Sequence, residues 1–260
     1  MTRTGMVMGI VMTLGVVGVR VDVAKADAWD RSVPGDGTVA TRSELVHGSD
    51  ELHDLQSKGS KPDEDWYRIS QQPYTSYEVI VEATAGEIAT PVLERIAADG
   101  TTVTQASVGV GGVGFTRSLR WQNGATAVDD QYVRVRSGGC AKCKKDALYR
   151  IRAFETTYRL SRFNNTGTQV TVLVVQNPSH QAVTGDVHYW SSAGALLATD
   201  EFTLGPKAQA VIQTQVAAPG VSGSATISHD GRYGDLAGKG IALEPATGFA
   251  FDTALESRTR

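Results

Sequence analysis

Along residues 76–83 the side chains alternate, with Tyr77, Val79, Val81 and Ala83 on one parity and Ser76, Glu78 and Glu82 on the other. Only Ile80 is out of step. A repeat of two puts one face of an extended chain in a core and the other in water. It excludes an amphipathic helix, whose apolar residues recur at three and four. Just upstream, Asp63-Glu64-Asp65-Trp66-Tyr67-Arg68-Ile69 reads as a second strand, and the Pro73-Tyr74 turn between them predicts a hairpin. A chain of 260 residues with 28 glycines has room for two turn-rich β domains.

The same pattern continues to residue 153. Pro91, Val92, Leu93 and Ile96 form a strand closed by Asp99-Gly100, and residues 101–105 return beside it. Residues 108–114 are glycine-rich and read as a loop, and residues 118–121 alternate up to an Asn123-Gly124 turn. Residues 131–136 and 148–153 read as a last hairpin. Val133, Val135, Tyr149 and Ile151 share its inner face and four arginines its outer one. Residues 155–165 turn polar, which places a domain boundary there. A second series of strands then begins with Val170, Thr171, Val172, Leu173, Val174 and Val175. Apolar on nearly every position, that strand is expected to be covered on both faces. Strands at 183–190, 196–204, 208–214, 221–228, 236–243 and 249–251 follow, each ended by Gly, Pro or Asp-Gly. The fold class is therefore all-β, two consecutive β-sandwiches.

The Asp-x-Asp-Trp-Tyr strand, the aromatic-started alternating strand after it and the later Asp-Gly turn resemble the pre-peptidase C-terminal domain of secreted bacterial proteins. The likeness covers residues 45–157 and implies a jelly-roll-like sandwich that aids targeting or substrate contact beside a peptidase. Residues 158–260 contain Leu173-x-x-Gln176-Asn177-Pro178, Tyr189-Trp190 before a glycine turn, and Leu204-Gly205-Pro206 before an apolar strand. They resemble the immunoglobulin-like domains of such proteins, which implies an immunoglobulin-like β-sandwich.

Arg3, the apolar run at residues 6–19 and Ala24-Lys25-Ala26 read as an export signal cleaved after Ala26, and the mature chain is expected to start at Asp27. Residues 27–44, with Pro34-Gly35-Asp36-Gly37 and a lone Trp29, read as a flexible lead-in. The tail from Glu256 to Arg260 carries no hydrophobic anchor, and a formal net charge of -3 gives no overall pull toward nucleic acid or an anionic membrane.

Cys140-Ala141-Lys142-Cys143 is the sole cysteine pair. A thioredoxin-like centre needs this motif at a helix start, and zinc needs four ligands; here strands flank it and no His or further Cys lies nearby. A disulfide follows for an exported chain. Asp50, Asp63 and Asp65 offer the oxygens that calcium takes, as some members of the resembled family do near the domain start. Their spacing departs from Asp-x-Asp-x-Asp-Gly, and the alternative is a solvated loop whose Asp residues cap the incoming strand. Arg134, Arg136, Arg150 and Arg152, extended by Lys142, Lys144 and Lys145, form a basic face suited to an acidic wall polymer or paired with Glu78 and Glu82 across the sheet. Asn164-Asn165-Thr166 fits a glycosylation sequon.

No Gly-x-Ser-x-Gly elbow, His-Glu-x-x-His or phosphate loop occurs, and His229-Asp230-Gly231 reads as a turn. The chain reads as a secreted, non-catalytic binding or adhesion protein whose partner is an extracellular protein or polysaccharide, with no cofactor besides calcium. Its rivals are a peptidase's accessory module and a polysaccharide hydrolase with a carboxylate pair among Asp50, Asp63, Glu64 and Asp65.

Overall fold

The computed structural model describes residues 35–57, 61–86, 88, 90–109, 116–140, 142–144 and 146–259. The expected export signal, the cleavage site, Trp29, most of the glycine-rich loop and Lys145 lie outside them. The described chain is almost entirely antiparallel β-structure, arranged as two sandwiches in series.

The first sandwich is built from β1 (Asp50–Asp54), β2 (Glu64–Gln71), β3 (Thr75–Ala85), β4 (Pro91–Ile96), β5 (Val103–Ala106), β6 (Val108–Gly109), β7 (Thr116–Asn123), β8 (Asp129–Ser137) and β9 (Leu148–Glu155). One sheet runs β1-β9-β3-β7-β6 and the other β2-β8-β4-β5. Between them lies a core that includes Tyr67, Ile69, Val79, Val81, Leu93, Leu119, Val133, Val135, Tyr149 and Ile151.

Two expected hairpins are absent. β2 pairs with β8, whereas β3 pairs with β7 and β9, so the strands joined by Pro73-Tyr74 lie in opposite sheets. Likewise β8 and β9 belong to different sheets. The reason is burial. Each of these strands has one apolar face, and stacking it across the core against the other's apolar face covers both. Side-by-side pairing would leave both faces in search of a cover. The Asp99-Gly100 hairpin does form, between β4 and β5, with Gly100 at positive φ.

The described part of the lead-in is built into the fold, contrary to its flexible reading. Trp66 N donates to Asp36 O (2.7 Å), Arg68 N to Ser43 O (2.8 Å) and Leu45 N to Arg68 O (2.9 Å), so residues 36–45 run along β2. Asp36, Thr41 and Ser43 are buried.

The second sandwich contains β10 (Tyr158–Asn164), β11 (Val170–Gln176), β12 (Val183–Ser191), β13 (Leu196–Leu204), β14 (Gln209–Gln213), the single helical turn α1 (Thr214–Ala217), β15 (Ser222–His229), β16 (Ala237–Glu244), β17 (Phe249–Ala254) and β18 (Glu256–Ser257). β10 is a correction: residues 158–164 are a strand of the second sandwich, with Tyr158, Leu160 and Phe163 in its core. Alternation fails on this strand because the register against β15 shifts between Leu160 and Phe163, a bulge that leaves both Ser161 and Arg162 exposed.

The two sheets run β13-β12-β15-β10-β18 and β14-β11-β16-β17. The central pairs β11–β14 and β12–β15 occupy the places of the B–E and C–F pairs of an immunoglobulin sandwich. The outer strands do not follow. The first strand, β10, lies beside β15, and β16 lies beside β11, so the strands in the A and G places have exchanged sheets. This half is a β-sandwich whose central pairs match the immunoglobulin arrangement and whose outer strands do not.

Only Thr156 and Thr157 separate β9 from β10, and both are buried. The sandwiches meet through β15, which packs on β3 and β7. The outer face of β11 takes no part in that packing as a buried surface: Val170, Val172 and Val174 remain half-exposed, and Val211 of the neighbouring β14 is 59% exposed. The expectation that this strand is covered on both faces does not hold.

Candidate functional site

The expected basic face is divided between two sheets. Arg134 and Arg136 of β8 bracket the mostly buried Glu94 of β4, with Arg134 Nη2 2.7 Å from Oε2 and Arg136 Nη2 3.0 Å from Oε1. Arg134 also reaches Glu64 (3.1 Å) and lies over the Trp66 ring. The hydrogen bonds and charges of Arg136 and Arg134 hold the Glu94 carboxyl below its usual range. On the other sheet, Arg150 donates to both oxygens of Asp50, and Arg152 approaches Glu82 at 3.5 Å. Glu82 is thus a partner as expected; Glu78 is not, since it accepts from Ser118 Oγ and Tyr233 N (both 2.8 Å). Lys142 and Lys144 sit on the crossing between β8 and β9. Cross-strand pairing consumes most of the arginine charge, because antiparallel neighbours put opposite charges within reach.

The three aspartates proposed for calcium do not converge. Asp50 lies on β1 with Arg150. Asp65, on β2 in the opposite sheet, is fully buried and accepts a hydrogen bond from Tyr149 Oη, which itself accepts from Tyr67 Oη (2.5 Å). Burial and the neighbouring Asp65 carboxylate push the Tyr149 hydroxyl well above its ordinary value. Asp63 lines an open groove with Pro62, Glu64 and Arg136. Among the described residues no three His, Cys, Asp or Glu side chains gather as a metal would require. The same placement separates the carboxylates considered for hydrolysis: Asp50 and Asp65 belong to different sheets, and Glu64 is held by Arg134.

Cys140 and Cys143 form the predicted disulfide. Cys143 packs into the first core, and its backbone is tied to Ser57 in both directions, by Cys143 N to Ser57 Oγ (2.9 Å) and Ser57 N to Cys143 O (3.0 Å). The sequon asparagine Asn164 is buried, and its Nδ2 donates to Gln169 Oε1.

Where the sandwiches meet, a polar seam joins them. His229 Nε2 donates to Thr156 O (2.9 Å), Ser228 Oγ to Gln122 Oε1 (3.0 Å), and Arg258 Nη1 lies 2.7 Å from Glu155 Oε2. Tyr233 packs on Phe154, and Tyr74 packs on His188 and Trp190. A cavity of about 220 Å³ beside the seam is lined by Glu44, His47, Gln72, Tyr77, Glu155 and Arg258 among others. Its charged groups are already engaged: Glu44 with Arg68, Glu155 with Arg258. Such a cavity reads as structure.

The side of the second sandwich where β17 ends its sheet is different. All six residues of β17 are exposed, with Phe249 at 67% and Phe251 at 71%. Two large aromatic side chains this open to water on one strand call for a reason. Phe249, Phe251 and Thr253 share the face turned toward the opposite sheet, since Phe251 is the register partner of Ala242 and Ala242 of Thr171. There, β18 covers the edge of β10 only at Tyr158 and Arg159. Between β17 and the rest of β10 lies a cavity of about 270 Å³, floored by Thr171, Gly240 and Ala242 and walled by Phe251, Gln169 and Arg162. Gly240 sets the depth of that floor: a Cβ there would stand 2.7 Å from Leu160 Cδ1 and 2.9 Å from Cδ2, so a larger residue would force the Leu160 side chain to move. The bulge in β10 turns Arg162 into the groove, where it makes no ion pair among the described residues. The strand expected at residues 249–251 is present as part of β17, and the exposure of its alternating phenylalanines was not anticipated from the sequence.

No protein family matches the chain by sequence, nor does any curated protein. Among solved structures the chain is similar to the pre-peptidase C-terminal domain of a collagenase from Bacillus anthracis, at 9% identity and a TM-score of 0.32, over 43% of this chain and 92% of that one. It is also similar to a β-glucuronidase from Bacteroides uniformis, at 11% identity and a TM-score of 0.20 over 75% of this chain. A glycosyl hydrolase family 2 member from Bacteroides cellulosilyticus gives 9% identity and a TM-score of 0.21 over 74% of this chain. This chain spans about a quarter of the length of each of those two enzymes.

Proposed function

We propose that the chain is an exported, non-catalytic binding protein that contacts an extracellular partner through the open side of its second sandwich. The observation that carries this reading is a groove walled by the exposed Phe251 and by Arg162, which has no ion pair among the described residues, with the exposed Phe249 next along the same face of β17. By contrast, the carboxylates and bases singled out in the first sandwich are spent on one another: Glu94 on two arginines, Asp50 on Arg150, Asp65 on Tyr149. Exposed aromatics beside a free guanidinium supply contact area and one charged anchor, the composition of a recognition surface. Export is supported by the Cys140–Cys143 disulfide, which persists in an oxidising compartment.

The test is retention and turnover together. The mature chain and a Phe249→Ala/Phe251→Ala variant are applied to arrays of extracellular polysaccharides and polypeptides, and each retained ligand is analysed for chemical change. Retention that is lost in the variant, with the ligand unaltered, is the expected result. Conversion of a ligand, or retention indifferent to the two phenylalanines, contradicts it.

A further inference from the structure

We propose that the occupant of this side is an extended polypeptide segment of a partner, which adds as a strand to the edge of β17 that no described strand covers and sets an acidic side chain on Arg162. The proposal rests on the reading above that this side is the recognition surface, and it names the partner's chemistry.

Three observations carry it. The first is the edge itself. A terminal strand presents outward N–H and C=O groups on alternate residues, and proteins usually guard such a row with proline, lysine, a bulge or a short strand. β17 has six residues, no proline and no lysine, and an unbroken register against β16 from Glu244↔Phe249 to Lys239↔Ala254. Its one charge, Asp252, lies on the face away from the groove and is held by Lys239 at 2.7 Å. The second is the pair of phenylalanines at alternate positions. Side chains directly opposite on a neighbouring strand come within about 5 Å, so an added strand would cover Phe249 and Phe251 with its own alternate apolar or β-branched residues.

The third observation is Arg162. The bulge at Ser161–Arg162 re-aims this guanidinium beside Phe251. A guanidinium fork accepts a carboxylate at two oxygens, so it selects an acidic side chain on the incoming strand. It also decides against a second copy of the chain as the occupant. β17 offers no carboxylate on the groove face, so the β17 of a second copy would bring Arg162 no acidic partner. A polysaccharide lacks the regular alternation of amide donors and acceptors that matches a strand edge.

The experiment uses the full mature chain and a random twelve-residue peptide library displayed on phage, with counter-selection on a Phe251→Lys variant. Enriched peptides are expected to alternate apolar residues and to keep Asp or Glu at one position. A synthetic copy of the leading peptide is expected to bind Arg162→Gln at least tenfold more weakly. Two further copies, N-methylated on the two alternate sets of backbone amides, separate strand addition from side-chain contact: methylation of one set abolishes binding and methylation of the other leaves it. No enrichment over the Phe251→Lys counter-selection, indifference to Arg162→Gln, or equal response to the two methylated copies each overturns the proposal. A concentration-dependent dimer in sedimentation velocity that Phe251→Lys abolishes also overturns it, by giving the edge to a second copy. If polysaccharides are retained through the phenylalanines while no peptide is enriched, strand addition fails and the binding reading stands.

Discussion

The imidazole of His229 is fully buried at the junction, and both ring nitrogens have partners: Nε2 donates to Thr156 O and Nδ1 accepts from Gly231 N (3.1 Å). That tautomer is neutral. Burial lowers the pKa to about 4, opposed by Thr156 O and by the charges of Asp230 and Asp235, while Arg120 lowers it further. An unfolded chain protonates this histidine near pH 6.5, whereas the folded chain resists until about pH 4. The stability tied to the neutral ring is complete above pH 6.5 and is lost as pH falls through that window, by roughly 3 kcal/mol. Urea midpoints at pH 7, 5.5 and 4.5 check this against His229→Gln. The variant is expected to be less stable at pH 7 but to show a shallower decline over the window. Parallel declines in the two proteins contradict the assignment.

At the scale of elements, the disulfide shows how little a local staple needs to contribute. It closes a four-residue loop, worth about 2 kcal/mol on the chain-entropy argument, and the strands it joins are already fixed in separate sheets by the core. Cys140→Ala/Cys143→Ala is therefore expected to fold and to lose about 2 kcal/mol in equilibrium denaturation; failure to fold contradicts this. The same crossing marks the limit of what the sequence discloses. Period-two alternation identified both β8 and β9, and also β2 and β3, but it reports only which face is apolar. Two such strands satisfy the pattern equally as neighbours in a sheet or as partners across a core, so the expected hairpins, and the single basic face drawn on one of them, were not decided by it. β10 escaped for a different reason: its bulge breaks the alternation, and Arg159, Ser161 and Arg162 give it a polar look. The cysteine pairing, the Asp99-Gly100 hairpin and the strands from β11 to β17 were legible because local chemistry alone specifies them. What edge a strand occupies is set by the topology, so the exposure of Phe249 and Phe251 was not.

For the whole molecule, each sandwich keeps its own apolar cluster, yet the link between them has no slack. Thr156 N donates to Ser76 O (2.8 Å) and Ser76 N to Thr157 Oγ1 (3.0 Å), so the linker itself is hydrogen-bonded to the first sandwich. Glu78, Ser228 and His229 are buried where the two meet. Calorimetry is expected to show one cooperative transition, with calorimetric and van't Hoff enthalpies equal; two resolved transitions would mean that the sandwiches unfold independently. The proposed recognition by the far side of the second sandwich remains to be tested. Amide hydrogen exchange on the full mature chain, with and without a ligand retained in the array experiment, tests it most directly. Slowed exchange of outward amides within residues 249–254 is expected, with the Arg134–Glu94–Arg136 face of the first sandwich unchanged. Protection centred on that face, with β17 unaffected, would contradict it.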